Sequence, residues 1–542
     1  MNEDEPQFWA RKIAKTISSR EKFHFTESEI PRLQKWAVKS SSSLSGVLHI
    51  GRLSDIIRSE AVARALEESG FPSEFIYVTE DMDPLRKLPA GLPAEYEKYI
   101  GFAVSDVPDS EGCHKSYAEH HLMKFFEVVG EFLYLEPKIY SMREEYKKGN
   151  FNEFTEKILS NSGAVNEIIS RHKGNPSGEK QPLWKPICGN CGNLQTTVAT
   201  GFDGKKVKYK CSDYAFEKFT AKGCGYEGES DLSKANGKMA WKGEWASQWC
   251  RWSVCSEGAG KEYIQSNSAW YVNAEIAERV LKFPMPEPIF YEHLNIGGQK
   301  MSASTGNVVY PADWLEVARP EALKYLYMKR IMKTRAFLWD EIPNLELELD
   351  RVIEAKFGLS KETDEKKLNQ ALEQFDFAAV RKRKLFPVPL DYSFAAALVQ
   401  LFSGNNEIIS RLSEMGHLKG NESKECLELL GERLNLARNW VAKRAPEKAK
   451  TSFLETVSAE TLAKAEKFRA ALASAAKFLE SASSADEAQT AFGSAAKESG
   501  NPREFFQLCY QLLLGKNEGP RIGSLALAFG KEKVIRRLSG SA

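Results

Sequence analysis

Gly46-Val-Leu-His49-Ile-Gly51-Arg52, near the front of a 542-residue chain, decides how its first domain folds. The apolar run from Leu44 to Ile50 reads as a strand. Behind it, the spacing of Ile56, Ile57, Val62, Ala63 and Leu66 reads as a helix. A glycine at a strand-to-helix turn lets backbone approach adenine or phosphate closely, and the helix N-terminus favours negative charge. His49 can donate a hydrogen bond to an α-phosphate as it becomes five-coordinate. A histidine on a turn is, taken alone, most often only part of the turn. A second stretch changes that reading: Lys300-Met-Ser-Ala-Ser304, set between Gly297-Gly298-Gln299 and Thr305-Gly306-Asn307. A loop carrying Lys300 can close over pyrophosphate and stabilise its charge as it leaves. In this order the two stretches read as halves of one ATP site that splits the nucleotide at its α-phosphate. Gly46, His49, Gly51 and Lys300 would hold ATP, and His49, Arg52, Lys300, Ser302 and Ser304 would act on its phosphates.

The pattern around this turn predicts an α/β fold. Strand signals at Trp36–Val38 and Leu44–Ile50 precede a helix to Ser69. A further strand at Glu74–Val78 ends in the acidic cluster Glu80-Asp81-Met82-Asp83. This β-α-β order, with polar residues at strand carboxyl ends, suits a Rossmann-like parallel-sheet nucleotide domain. Residues 6–22 read as an amphipathic helix packed on it. The catalytic domain is expected in two halves, 1–104 and 241–344, around a metal-binding insertion at 105–240. A helical segment starts at Pro320 and runs to about Arg335. From 345 to 542 the chain reads as all-α, rich in Ala, Leu, Glu and Lys, with breaks at Pro387–Pro389, Gly420–Asn421 and Gly500–Pro502. The Ala/Ser-rich stretch 471–496 is a helix former, either packed or a low-complexity surface helix.

Charge excludes one simple class. Lys+Arg 75 against Asp+Glu 74 leaves a net +1, so no global field draws in nucleic acid. Any RNA contact must use local patches such as Arg381-Lys-Arg-Lys384, Arg433 with Arg438, or Lys443-Arg444, which read equally well as solvated helix faces. No apolar run approaches the ~18 residues that span a bilayer, and the acidic start Met1-Asn-Glu-Asp-Glu5 is no signal peptide. The nine cysteines are not spaced as a disulfide framework. The expectation is a soluble, cytoplasmic monomer without membrane contact.

Two clusters carry metal-ligand chemistry. Cys188-Gly-Asn-Cys191, with Cys211 and Cys224 beyond a lysine-rich strand-like stretch, offers four thiolates. Paired sulfurs on two turns suit tetrahedral zinc and can close a small sheet that has no core of its own. The second cluster, Asp109, Cys113, His114 and His120, offers one oxygen, one sulfur and two imidazoles. On its chemistry alone it stands open between a metal site and a helix start with exposed histidines.

Together the two opening stretches resemble the signatures of class I aminoacyl-tRNA synthetases. Further segments are similar to class I lysyl-tRNA synthetases of the archaeal type, nearly end to end. They include Ser43-Leu-Ser-Gly46, Glu80-Asp-Met-Asp-Pro-Leu-Arg-Lys87, Asp106-Val-Pro-Asp109, Lys206-Val-Lys-Tyr-Lys-Cys211, Glu244-Trp245 with Trp249, Gly260-Lys261, Tyr291-Glu292, and Gly515-Lys516 with Gly519-Pro-Arg521-Ile-Gly523. The resemblance implies ATP with Mg2+, zinc (Zn2+) at both clusters, lysine as substrate, and tRNA held at its acceptor end and anticodon, the latter by 345–542. It also implies an amino-acid pocket of Ser41, Ser43, Asp55, Trp245, Tyr263 and Trp270. Asp55 would face the substrate's side-chain ammonium, because an uncharged side chain would leave that carboxylate buried and unpaired. Trp245, Trp249 and Trp270 would wall the aliphatic stem, with core packing the plainer role.

Several positions depart from the family pattern: Arg52 for Asn, Asp55 for Glu, Tyr263 for His, Ser41 for Gly and Thr305 for Lys. The catalytic frame is kept while the amino-acid pocket is altered. Two alternatives follow: a paralogue that activates another basic amino acid or charges a non-tRNA acceptor, and a non-enzymatic zinc-dependent RNA-binding protein. The retained His49 and Lys300 argue against the second.

Overall fold

The computed structural model describes residues 8–44, 48–89, 92–174, 182–301, 308–359, 362–381 and 383–540, with Lys300 described by its backbone alone. Five parallel strands form the central sheet, in the spatial order Glu287–Tyr291, Val254–Gly260, Trp36–Ser43, Ser73–Glu80, Lys138–Ser141. In chain order this is 5-4-1-2-3. The order reverses between Trp36–Ser43 and Val254–Gly260, and that switch point is where a doubly wound sheet opens a crevice for ligands.

Trp36–Ser43 is one continuous strand, and of the expected strand Leu44–Ile50 the described residues Leu44, Leu48 and His49 lie in no strand while Ile50 opens a helix. The helix starts at Ile50 and runs to Glu68, because Trp36–Ser43 already pairs in register with Ser73–Glu80 along its full length. Gly46 lies outside the described residues. The segment from Pro320 is also shorter than expected: its helix ends at Met328, and Arg335–Phe337 is a strand paired with Leu294–Ile296.

The helix Ile50–Glu68 is buried on nearly every side, so its polar residues must find partners inside the protein. Arg58 donates to Ser54 Oγ at 2.8 Å and lies over the rings of Tyr291 and Tyr327. Glu60 meets the Lys324 ammonium at 2.7 Å and accepts from the Leu135 N–H at 2.7 Å. Arg64 donates to the carbonyls of Asp376 and Phe377. On the central strand, Lys39 is fully buried and stands in register with Glu257 of the adjacent strand, 2.5 Å away.

The insertion carries a three-stranded antiparallel sheet, Thr197–Phe202, Lys206–Cys211 and Glu227–Asp231. Its buried cluster is only Cys188, Tyr209 and Cys211, with Cys191 against it. A sheet so poor in apolar contacts needs another source of stability.

The chain divides into two compact units. One is Met1–Ala312 with Lys324–Phe337 and Glu373–Arg383; the other is Asp313–Leu323 with Leu338–Leu372 and Lys384–Ala542. The second is helical beyond residue 338. Its Ala/Ser-rich stretch forms two packed helices, Arg469–Ser481 and Ala485–Glu498, whose Ala475, Ala488 and Ala495 are fully buried. Gly523 permits the close packing there, since a Cβ would come 2.4 Å from the Gln489 backbone nitrogen.

Lys39→Met strands the Glu257 carboxylate without its buried counter-ion. We expect a loss of about 3–5 kcal/mol in urea unfolding; parental stability would show that the pair does not hold the sheet.

Candidate functional site

A cleft of about 610 Å³ opens at the switch point. From the central strand come Ser41, Ser42 and Ser43; from the helix behind it His49, Gly51, Arg52 and Asp55; from the next strand Gly258 and Gly260. His49 is the residue preceding the helix, and its Nδ1 accepts the Gly51 N–H at 3.1 Å. That bond places the neutral ring's proton on Nε2, the donor a phosphate oxygen needs. Gly51 has no room for a side chain: a Cβ would lie 2.8 Å from the His49 ring and 3.1 Å from Met301 Cε.

Met301 is thereby brought against the first signature. It follows a hairpin in which Leu294–Ile296 pairs with Gln299–Lys300 across Gly297 (φ 55°) and Gly298 (φ 82°). Two consecutive positive φ values are what a tight two-residue hairpin of this kind requires, and glycine adopts them without strain. The backbone of Lys300 therefore begins its loop beside the cleft. The Lys300 side chain, Ser302 and Ser304 lie outside the described residues.

Asp55 is buried, and its carboxylate is already held by the hydroxyls of Ser40 and, at 2.7 Å, Tyr291. Burial raises its pKa, while the two hydroxyls and Arg52 pull it down. Arg52 is exposed and makes no ion pair with Asp55 within 4 Å, so the carboxylate is not neutralised by an adjacent helical turn. Gly258 leaves space for it, as a Cβ there would come 2.4 Å from Asp55 Oδ2.

Trp245 lines the cleft, stacked on Trp241 at 4.8 Å and edge-on to Tyr263 at 5.3 Å. Trp249 and Trp270 are fully buried behind it and do not line the cleft. The indoles of Trp245 and Trp249 donate to Glu257 Oε2 at 3.0 and 2.6 Å. The Lys39–Glu257 pair thus anchors the aromatic wall.

Sequence reading missed two parts of this site. One is that pair, which reads only as a charged residue within each of two strands. The other is Glu80, at the carboxyl end of its strand, whose Oε2 accepts from Gln248 at 3.1 Å. Glu80 Oε1 and Gln248 Oε1 are buried with no hydrogen-bond partner. Burial pushes the Glu80 carboxyl up to about 8, with Lys39 opposing the shift and Glu244 adding to it. The acidic cluster marks Glu80 in the sequence, but its burial depends on elements from 238–248.

Both metal-ligand clusters assemble. The sulfurs of Cys188 and Cys224 are 3.6 Å apart, and those of Cys191 and Cys211 3.8 Å, with all four within 4.8 Å of one another. The edge of a tetrahedron with metal–sulfur bonds of about 2.3 Å is roughly 3.8 Å, so the four thiols fit one ion. In the second cluster, Cys113 Sγ lies 3.3 Å from Asp109 Oδ2, 3.0 Å from His114 Nδ1 and 3.3 Å from His120 Nδ1. Here the helix Tyr117–Val129 contributes only His120, and the loop before it supplies the other three. Residues able to hold a metal ion thus stand together in two places.

The family model for tRNA synthetases class I (K) matches residues 7–376. A lysine–tRNA ligase of Pyrococcus horikoshii is 32% identical over 519 residues, covering 93% of this chain and 96% of the relative. Lysine–tRNA ligases of Methanosphaera stadtmanae and of Cenarchaeum symbiosum strain A are 28% and 31% identical, each alignment covering 98% of both chains.

Glu80 carries a pH signature. Its native pKa of about 8 stands above the ordinary 4.5, so the folded protein retains a proton that the unfolded chain releases. Glu80's contribution to stability is therefore full below the lower value and is lost as pH rises to the upper one. We expect Glu80→Gln to gain stability relative to the parent between about pH 5 and pH 8 in urea unfolding, and a gap independent of pH would refute the shift.

Proposed function

Because the chain belongs to the class I tRNA synthetases of type K, we propose that it activates lysine with ATP and ligates it to tRNA through a lysyl-adenylate. The observation that supports this reading is that His49 and Met301, the residue after Lys300, line one cleft at the switch point. The lysine carboxylate attacks the α-phosphate in line. His49 Nε2 and Arg52 stabilise charge on the five-coordinate phosphorus, aided by the N-terminus of the helix Ile50–Glu68. Lys300, Ser302 and Ser304 act on the departing pyrophosphate, and Mg2+ accompanying ATP supplies further positive charge. The terminal ribose of tRNA then attacks the adenylate.

A lysine substrate brings two ammonium groups, and beside the Lys39-paired Glu257 the cleft presents two buried carboxylates that make no ion pair with the protein. Asp55 takes the side-chain ammonium and Glu80, with its unpartnered oxygen, takes the other. Ser41 and Ser43 line the floor, and Trp245 and Tyr263 cover the aliphatic stem. The chain works as a cytoplasmic monomer; among the described residues no helix is long and apolar enough to cross a membrane. One observation favours a second reading. Asp55 already accepts two hydroxyls and is shorter than Glu, which suits another basic amino acid of different length. Such a change of fit is worth about 1–3 kcal/mol.

His49→Ala should slow lysine-dependent ATP–pyrophosphate exchange roughly a hundredfold with little change in the KM for lysine, since its bond forms in the transition state. Parental exchange would remove it from the ATP site. Asp55→Asn should abolish lysine activation and spare ATP binding, with tRNA present throughout. A mutant that activates lysine like its parent would make Asp55 a structural partner of Ser40 and Tyr291.

Zinc fills both clusters in this proposal, the thiolates closing the small sheet and the mixed site ordering the start of the helix Tyr117–Val129. Elemental analysis should give two zinc per chain, falling by one in Cys188→Ser and by one in His120→Ala. A single zinc lost on Cys188→Ser would reject the mixed site.

A further inference from the structure

The motif Gly515-Lys516…Gly519-Pro520-Arg521 lies far along the chain from the nucleotide signatures and builds a corner of the helical unit. Gly515, at φ 71°, ends the helix Pro502–Leu514 and turns the chain back. Lys516 then donates its ammonium protons to the carbonyls of Lys448, at 2.7 Å, and Lys450. The Leu454 N–H donates to the Leu513 carbonyl at 2.8 Å, so the segment 448–455 runs along the end of that helix.

Beside it, the Phe453 ring meets Phe529 edge-on at 5.2 Å. The Lys533 ammonium stands over Phe453 at 4.2 Å and the Arg537 guanidinium at 4.8 Å. Arg537 also donates to the carbonyls of Leu512 and Glu455, and Lys531 to those of Glu480 and Ala482. Carbonyls and a ring fix these cations in place but do not neutralise them. Among the described residues, Lys516, Lys531, Lys533, Arg536 and Arg537 make no ion pair within 4 Å, although Glu447 acts on Lys516 and Glu487 on Lys531 at longer range.

The patches singled out in the sequence behave differently. Arg433 is buried against Asp350 at 2.6 Å, and Arg438 donates to Val399 and Asn405. Lys443 pairs with Glu316 at 2.8 Å and Arg444 with Asp313 at 3.1 Å. Arg433, Lys443 and Arg444 are thus paired with carboxylates, whereas Arg438 meets only a carbonyl and an amide oxygen. In a chain of net charge +1, cations outside any ion pair gathered in one corner are a local electrostatic footprint.

We infer that the corner formed by Lys516, Lys533 and Arg537 around Phe453, with the exposed Arg536 on the same helix as Lys533, binds the phosphate backbone of tRNA. The inference rests on the proposed function and locates a contact for its macromolecular substrate. Cations already held by carbonyls and a ring lose little freedom when a phosphate docks. Lys533 and Arg536 are exposed and three residues apart on one helix, so they share a face toward the same strand of RNA.

The test uses the full chain, an in vitro transcript of a tRNA with a lysine anticodon, and binding measured across a range of salt. Lys533→Ala with Arg536→Ala should weaken binding roughly tenfold near 0.1 M salt and lower the salt slope by about two. The KM for lysine in pyrophosphate exchange at saturating tRNA should stay as in the parent. Parental affinity and slope in the double variant would overturn the corner while leaving the proposed function intact. A parent chain that neither binds nor charges the transcript would overturn the proposed function and the corner with it.

Discussion

A fully buried lysine on the central strand of the sheet sets the terms for the rest of the catalytic unit. Lys39 cannot be solvated, and Glu257, in register on the neighbouring strand, is its counter-ion. The desolvation of two charges is tolerated only where geometry is good and the remaining lone pairs are used. Here they are used: Glu257 also accepts from Ser41 and from the indoles of Trp245 and Trp249. One ion pair therefore ties together the two strands at the switch point and the helix Trp241–Trp252. Those are the elements that form one side and the floor of the cleft.

The selectivity for charge proposed for the cleft rests on the same burial. Asp55 and Glu80 are carboxylates in a low-dielectric setting, both with pKa values raised first of all by desolvation. A bound ammonium reverses that penalty, and a neutral side chain does not. Asp55 is steadied by two hydroxyls, whereas Glu80 keeps one buried oxygen without a partner. The two are thus unequal acceptors. That inequality suits a substrate whose two ammonium groups must be told apart.

What could be read in the sequence was whatever depends on short spacing. The C-x2-C pair and the candidate ligands Asp109, Cys113 and His114 are local patterns, and both groups assemble in space. The helical second unit was legible from composition and its breaks. The strand placed at Leu44–Ile50 was not, because the buried apolar residues Leu48 and Ile50 lead into a helix rather than a sheet. Glu80 and the Lys39–Glu257 pair were hidden for a different reason. Their roles arise from contacts spanning 168 and 218 residues, and no local pattern distinguishes a buried, paired charge from a solvated one. The basic pairs at 433–444 misled by the same logic, since their partners also come from distant segments.

The central claim is that a cleft with two buried carboxylates outside any ion pair, and with an ATP-splitting turn, selects a doubly cationic amino acid. Pyrophosphate exchange by the parent chain across the twenty amino acids, with tRNA present, tests it most directly. The account predicts exchange with lysine, weak exchange at most with arginine, and none with neutral or acidic amino acids. Exchange driven equally well by a neutral amino acid, or by none of the twenty, would contradict it.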